Sequence, residues 1–118
     1  MEKKNGGKVL HLTLRKKWFD MILKGEKREE YREIKMYWAE RLMTGFPQTY
    51  GVIERLNPDF KDFTEIEFRN GYAKDAPTMT VECRGIKFGI TKAEWCDDGE
   101  KGVFVIQLGR IIFFKNCY

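Results

Sequence analysis

Three sequence patterns follow one another in residues 8–35, KVLHLTLRKKWFDMILKGEKREEYREIK. This succession decides the fold. In the first part, Leu10, Leu12 and Leu14 alternate with other side chains. Strict alternation is typical of a β-strand that buries one face, because successive side chains of a strand point to opposite sides. The stretch therefore begins with a predicted strand whose leucines face a core.

The spacing of the apolar residues then changes to that of a helix. Phe19, Ile22 and Leu23 lie three and four residues apart, which places them on one face of a short helix. Gly25 follows at the place where glycine commonly ends a helix, because it adopts a left-handed conformation without strain. We expect the charged residues after Gly25 to begin a second strand.

The remaining chain is rich in strand patterns. Ile66 and Phe68 alternate in one segment, and a later segment changes its alternation at Gly85, which indicates a β-bulge or a strand break. A third segment predicts two strand pieces bent at Gly109. The three segments are TEIEFRN at 64–70, TMTVECRGIKFGIT at 78–91 and GVFVIQLGRIIFF at 102–114. With a second short helix over MYWAERLM, 36–43, this pattern predicts an α+β fold built on a small, mostly antiparallel β-barrel.

The chain has the size and composition of one globular domain. It has 118 residues, of which 42% are hydrophobic and 14% aromatic, values that argue against disorder. Residues 1–7 contain the breakers Asn5, Gly6 and Gly7, so we expect a flexible tail followed by one domain over residues 8–118.

Composition also excludes several kinds of chemistry. The chain has no serine, which rules out a serine nucleophile, and one histidine, His11. No residues have the spacing of metal ligands, and we expect neither a metal nor another cofactor. Three widely spaced cysteines suggest reduced thiols in a cytoplasmic protein. No apolar stretch is long enough for a membrane helix, and the start lacks the apolar segment of a signal peptide.

The net charge of +4 is concentrated at the beginning of the chain. Residues 1–35 contain 11 Lys and Arg against 6 Asp and Glu, whereas residues 36–118 contain 11 against 12. Such a local basic excess favours polyanions such as RNA, DNA or nucleotides. A charged, solvated surface with a basic tail is the alternative interpretation.

The charged run GEKREEYREIK, residues 25–35, concentrates these charges. On a strand, Arg28, Glu30 and Arg32 share one face, so the carboxylate can orient two guanidinium groups toward a phosphate or a base edge. The alternative is an exposed edge strand that charge protects from pairing. The apolar residues before the run and the aromatic residues after it favour a segment held against the core and lining a cleft.

Gly25, Lys27, Glu30 and Arg32 form the pattern G-x-K-x-x-E-x-R, which resembles the signature of the ASCH domain, a relative of the PUA RNA-binding domains. The preceding leucine-rich strand and aromatic-bearing helix fit this resemblance. It implies a PUA-like fold, a small β-barrel with two or so short helices beside it. It also implies that the signature residues meet in a cleft that binds RNA, a nucleotide or a modified nucleoside.

The resemblance leaves two functions open. As a binding module, the domain would contact its ligand through six residues: Trp18, Lys27, Arg28, Glu30, Arg32 and Tyr72. Of these, Trp18 is a candidate stacking platform or a core residue, and Tyr72 is a second candidate aromatic.

The rival function is a small hydrolase of a modified nucleoside or RNA, with Lys27 and Glu30 as catalytic residues. One bacterial branch resembling the family hydrolyses the acetyl amide of N4-acetylcytidine, but its motif has threonine where this chain has Glu30. A protein–protein adaptor is a third possibility. The sequence does not indicate the oligomeric state.

Overall fold

The computed structural model describes residues 8–44 and 59–117. The predicted tail, 1–7, lies outside these ranges. The elements, in chain order, are β1 (Lys8–Leu14), α1 (Lys16–Leu23), β2 (Glu29–Glu33), α2 (Met36–Leu42), β3 (Phe63–Asn70), β4 (Thr78–Ile90), a 3₁₀ turn (Ala93–Trp95) and β5 (Gly102–Lys115). The expected α+β class is confirmed, with two short α-helices and a five-stranded mixed sheet. No helix within the described ranges is long and apolar enough to cross a membrane.

The strands join in the order β1-β3-β4-β5-β2. β1 pairs with β3 in parallel, and β3 pairs with β4 antiparallel. β4 runs on through Gly85, which has a φ of 131°. β5 is a single strand through Gly109, where the sequence predicted two segments. A Cβ at 109 would lie 2.6 Å from Nε of Arg84 and Oε1 of Glu82 and 3.0 Å from Cβ of Glu82, so this glycine lies in close packing rather than at a break in the strand.

The chain divides into two compact units. The first comprises 1–29, 62–85 and 107–118, and the second comprises 30–61 and 86–106. Each unit has buried apolar residues of its own, and each carries a different part of the charged run.

The core of the first unit follows the predicted periodicity. The three leucines of β1 are buried, and so are Phe19 and Ile22 of α1. β3 and β4 add four further side chains that are 0–1% exposed: Ile66, Phe68, Met79 and Val81. Removing one such side chain from water stabilises the fold by about 2 kcal/mol, so the alternation specifies which face of each strand is buried.

The core of the second unit is aromatic. Phe88 stacks on Phe104 with ring centroids 5.2 Å apart, and Phe60 meets both rings edge-on at 5.6 and 6.1 Å. Ala39 and Leu42 of α2 are fully buried, while the opposite side of that helix, including Tyr37, is exposed. The helix therefore buries one face only.

Candidate functional site

Lys27 lies in the tight connection between α1 and β2. Gly25 has a φ of 80°, a conformation that suits glycine at a helix end. The backbone N–H groups of Glu26 and Lys27 both donate to the carbonyl of Met21, at 2.9 and 3.1 Å. These two hydrogen bonds to one carbonyl oxygen turn the chain back onto the last turn of α1. As a result the Lys27 side chain points inward, and the residue is only 2% exposed.

The buried ammonium group of Lys27 has polar surroundings. Its Nζ donates a hydrogen bond to the carbonyl oxygen of Glu29 and lies 5.4 Å from the centroid of the Trp18 ring. Lysine is rarely buried without such compensation, because removing its charge from water is costly. The negative face of an indole ring and a carbonyl oxygen both attract a cation. Lys27 is thus a cation held in place inside the first unit.

A cavity of about 350 Å³ opens beside this lysine. Lys27, Arg28 and Arg110 bring three cationic side chains to its wall. The rest of the lining is apolar or glycine: Ile22, Gly25, Val81, Leu108, Gly109 and Ile111. Pockets with an apolar lining and a few placed polar groups are typical of small-molecule sites, and this volume lies within their range.

Glu82 moderates the charge at the edge of this cavity. Its Oε1 accepts a 3.0 Å hydrogen bond from the backbone N–H of Arg110, and its Oε2 lies 3.6 Å from that residue's guanidinium group. The backbone hydrogen bond is the main reason why the pKa of Glu82 lies below its ordinary value, and the charges of Arg110 and Arg84 act in the same direction. Desolvation opposes this lowering of the pKa. The carboxylate therefore stays ionised and holds the backbone at Arg110.

Glu30 and Arg32 belong to the second unit and form a buried ion pair. An Arg32 nitrogen donates to the Glu30 carboxylate and to the carbonyl of Tyr31, the latter at 3.0 Å. The side chains of Arg32 and Glu30 are 16% and 6% exposed. The guanidinium carbon also lies 5.1 Å from the centroid of the Trp38 ring. These contacts fix the plane of the guanidinium group.

Arg32 lines a second cavity, of about 240 Å³, whose charges are balanced. Glu33 is paired with Lys35 at 3.1 Å, and Asp98 with Lys101 at 3.4 Å. The remaining lining is Tyr31, Trp38, Cys96 and Val103. With its carboxylates paired and its indole and phenol rings, this cavity is better suited to a planar polar group than to a strongly charged one.

The other candidate residues occupy different environments. Trp18 is partly buried, and the amine of Lys17 lies 4.4 Å from its ring centroid. Tyr72 is 86% exposed in the turn after β3 and does not line either cavity. Arg110 was not foreseen. It follows Gly109 on β5, and in the sequence it differs in no way from an arginine on a solvated strand face.

The described residues contain no group of three or more His, Cys, Asp and Glu side chains that could hold a metal ion. His11 lies 3.3 Å from a carboxylate oxygen of Glu67 and is solvent-exposed. All three cysteines are free thiols, and burial raises the pKa of Cys83. The polar side chains that line the first cavity are cationic, whereas those of the second include cationic, carboxylate, phenol, indole and thiol groups.

Comparison with protein-family models, with curated proteins and with solved structures gave no significant match to this chain.

Proposed function

We propose that the protein is an ASCH-type, PUA-like domain that binds RNA or a nucleotide, and that the cavity beside Lys27 receives a phosphate group of the ligand. The buried Lys27 ammonium, which lines a cavity together with Arg28 and Arg110, is the observation that carries this proposal. Three cations around an apolar floor favour a ligand that combines an anionic group with an apolar or planar part. A nucleotide has this combination.

Each element of the site has a separate role in this proposal. Lys27 provides a fixed point charge, because its burial and its bond to the Glu29 carbonyl restrict its movement. Arg28 is exposed and bonds phosphate oxygens from the solvent side. Trp18 stacks on a base. In the second unit, which has its own cavity, Glu30 orients Arg32 so that its guanidinium group meets a base edge.

The signature G-x-K-x-x-E-x-R supports the family assignment, because its lysine and glutamate are two of three polar or charged residues that are buried among those described. Burial of charged groups is costly, and it is common at sites where the charge has a function. Free thiols at all three cysteines agree with a reducing, cytoplasmic compartment, which we include in the proposal.

Nucleotide binding by isothermal titration calorimetry tests the proposal. Lys27→Met removes the ammonium group while keeping a chain of similar length, so the fold is expected to survive, and the affinity for cytidine monophosphate is expected to fall by about tenfold or more. Lys92→Met removes the same charge from an exposed position of the second unit and serves as the control. Thermal unfolding of both variants confirms that they are folded.

The dependence of RNA affinity on salt gives an independent measure. Each phosphate contact contributes about 0.7 to the slope of log K against log salt for a single strand. Arg28→Gln and Arg110→Gln are each expected to reduce that slope by about this amount. Affinity that is indifferent to salt and unchanged by these substitutions and by Lys27→Met would show that the cavity does not bind phosphate.

Incubation with N4-acetylcytidine separates a binding module from the hydrolase. Product formation that is lost in Lys27→Met and in Glu30→Gln would establish the enzyme. Binding without product, under conditions where the wild-type protein is saturated, supports the binding module.

A further inference from the structure

A second surface of the first unit combines basic, hydroxyl and aromatic side chains. It is a depression of about 360 Å³ between the β3–β4 turn and the end of β5. Arg69, Lys74 and Lys115 contribute cationic side chains, and Phe113 contributes an aromatic ring. The lining is completed by Glu67, Ala76, Thr78, Thr80 and Asn116. We call this set of residues the turn surface.

The turn surface is held together by hydrogen bonds. The Asn116 side-chain amide donates to the carbonyl of Asp75 at 3.2 Å, which fixes the end of β5 to the turn that carries Lys74. The Arg69 guanidinium group donates to the carbonyl of Ala73 in the same turn. These bonds position the cationic groups around the depression before any ligand arrives, which lowers the entropy cost of binding.

The charge of the turn surface selects an anionic partner. Three cations line it against one carboxylate, Glu67, and that carboxylate lies 3.3 Å from His11 Nδ1. A basic protein face would be repelled here, and a second copy of this chain, with its net charge of +4, would also bring like charge overall. Lys74 and Lys115 are exposed, so their ammonium groups are accessible to phosphates in solvent.

The last two aromatic residues of β5, Phe113 and Phe114, lie outside the core. Apolar side chains of this strand are buried up to Leu108, but Ile112, Phe113 and Phe114 are 49%, 58% and 57% exposed. Exposed aromatic rings interleaved with lysines are typical of surfaces that bind single-stranded nucleic acid, since every base offers a face for stacking. Phe113 is the ring of this group that lines the depression.

We propose that the turn surface binds a single-stranded oligonucleotide, with Phe113 stacked on a base and with Lys74 and Lys115 bonded to neighbouring phosphates. The hydroxyl groups of Thr78 and Thr80 supply further hydrogen bonds to sugar or base. This proposal takes its ligand class from the proposed function but uses none of the residues of the Lys27 cavity. It extends recognition from one nucleotide to a strand.

Fluorescence anisotropy with a labelled oligouridylate of about 12 nucleotides tests this inference. Lys74→Glu combined with Lys115→Glu is expected to weaken binding by more than tenfold and to reduce the salt slope by about 1.4. Lys87→Glu combined with Lys92→Glu is the matched control, because it makes the same charge change at exposed positions of the second unit. Equal losses in the two double variants would show an effect of net charge alone and would overturn the proposal.

Phe113→Ala and Phe114→Ala distinguish stacking of a base on Phe113 from a nonspecific effect of any exposed aromatic ring. The two rings are almost equally exposed, but Phe113 alone of the two lines the depression. Phe113→Ala is expected to weaken oligonucleotide binding by about tenfold, with a small effect from Phe114→Ala. Equal effects, or tighter binding of a duplex of the same length, would overturn the proposal. So would self-association that Phe113→Ala abolishes while oligonucleotide binding is unchanged.

Binding of cytidine monophosphate shows whether the proposal for the Lys27 cavity or the proposal for the turn surface has failed. The turn-surface variants are expected to bind the mononucleotide as the wild-type protein does, because they leave the Lys27 cavity intact. Oligonucleotide binding that depends on Phe113 and the two lysines, without any mononucleotide binding, would support the turn surface and contradict the Lys27 cavity. Mononucleotide binding without oligonucleotide binding would overturn the turn surface.

Discussion

The guanidinium group of Arg32 bonds to the carboxylate of Glu30, and the two side chains are only 16% and 6% exposed. A buried ion pair contributes little net stability, because desolvation of both charges offsets most of their attraction. Loss of one partner is different, since it removes the opposite charge from beside a charge that stays buried. The effect of replacing either residue on the free energy of unfolding therefore depends on whether the other is present.

Glu30→Ala is expected to destabilise the protein by about 3 kcal/mol, because it leaves the Arg32 charge in a buried site. Glu30→Ala combined with Arg32→Ala is expected to cost less than the sum of the single substitutions. Urea unfolding measures these free energies. Asp20→Ala is the comparison, because it breaks the Lys16–Asp20 pair, whose side chains are 79% and 36% exposed, and is expected to cost under about 1 kcal/mol. A Glu30→Ala cost no larger than that of Asp20→Ala would contradict the prediction.

Gly25→Ala isolates the effect of a left-handed backbone conformation. Gly25 has a φ of 80°, and apart from its own atoms and those of its two neighbours in the chain, nothing lies within 4 Å of the position that a Cβ would occupy. The cost, about 1 kcal/mol of unfolding free energy, is therefore expected from backbone strain alone. Gly102→Ala is matched to it, because that position also has open space but no positive φ. It is expected to be neutral or slightly stabilising. Equal effects of the two substitutions would argue against strain at Gly25.

Gly89→Ala tests steric contact in the second unit. A Cβ at this position would lie 2.9 Å from Cγ2 of Val105, which is 1% exposed. Valine has little freedom at χ1, so we expect a cost of about 2 kcal/mol, measured by thermal unfolding. In the Val105→Ala background the same substitution is expected to cost clearly less. An unchanged cost there would show that Val105 is not the cause.

Glu82 makes stability depend on acid pH. Its pKa is lowered in the folded protein, mainly by the hydrogen bond from the Arg110 backbone, so the ionised carboxylate stabilises the fold above its unfolded pKa of about 4.5. This stabilisation is lost as the pH falls through the folded pKa. Glu82→Gln is therefore expected to lower the melting temperature at pH 7, with the difference from wild type closing at pH values below 4.5.

Glu65→Gln provides the control for this pH dependence. Glu65 lies directly opposite Glu82 in the β3–β4 register, so removing its charge relieves a repulsion between like charges. We expect its melting temperature at pH 7 to be no lower than that of the wild-type protein. If the melting temperatures of Glu82→Gln and the wild-type protein differ by the same amount at pH 7 and at acid pH, the stabilising role of the ionised carboxylate is contradicted.

The helices and strands could be predicted because the spacing of apolar residues that marks each of them lies within a short stretch of the chain. Alternation in β1 marks Leu10, Leu12 and Leu14, and helical spacing in α1 marks Phe19, Ile22 and Leu23. All of these are buried except Leu23, which is only partly buried. A strand or a helix presents its side chains with a fixed period, whatever it later packs against. Gly25 marked the end of α1 for a similar reason, since the left-handed conformation at a helix end favours glycine wherever the helix lies.

The predicted break at Gly109 shows where this reasoning fails. The glycine interrupts the apolar pattern of β5, yet the strand continues, and at Gly109 its backbone passes close to the side chains of Arg84 and Glu82 on another strand. A requirement set by a neighbouring strand leaves no period in the sequence. A glycine that ends a strand and a glycine that packs closely against a neighbouring strand cannot be distinguished in the sequence.

For the candidate site, the sequence alone determined which charged residues follow α1 and that apolar segments flank them. It did not determine that Lys27 is buried, or that Arg110, from the far end of the chain, lines the same cavity. Burial and convergence depend on which strands become neighbours, and that pairing is decided by the packing of the whole core. The tertiary structure therefore decided which of the charged side chains line a cavity and which remain in solvent.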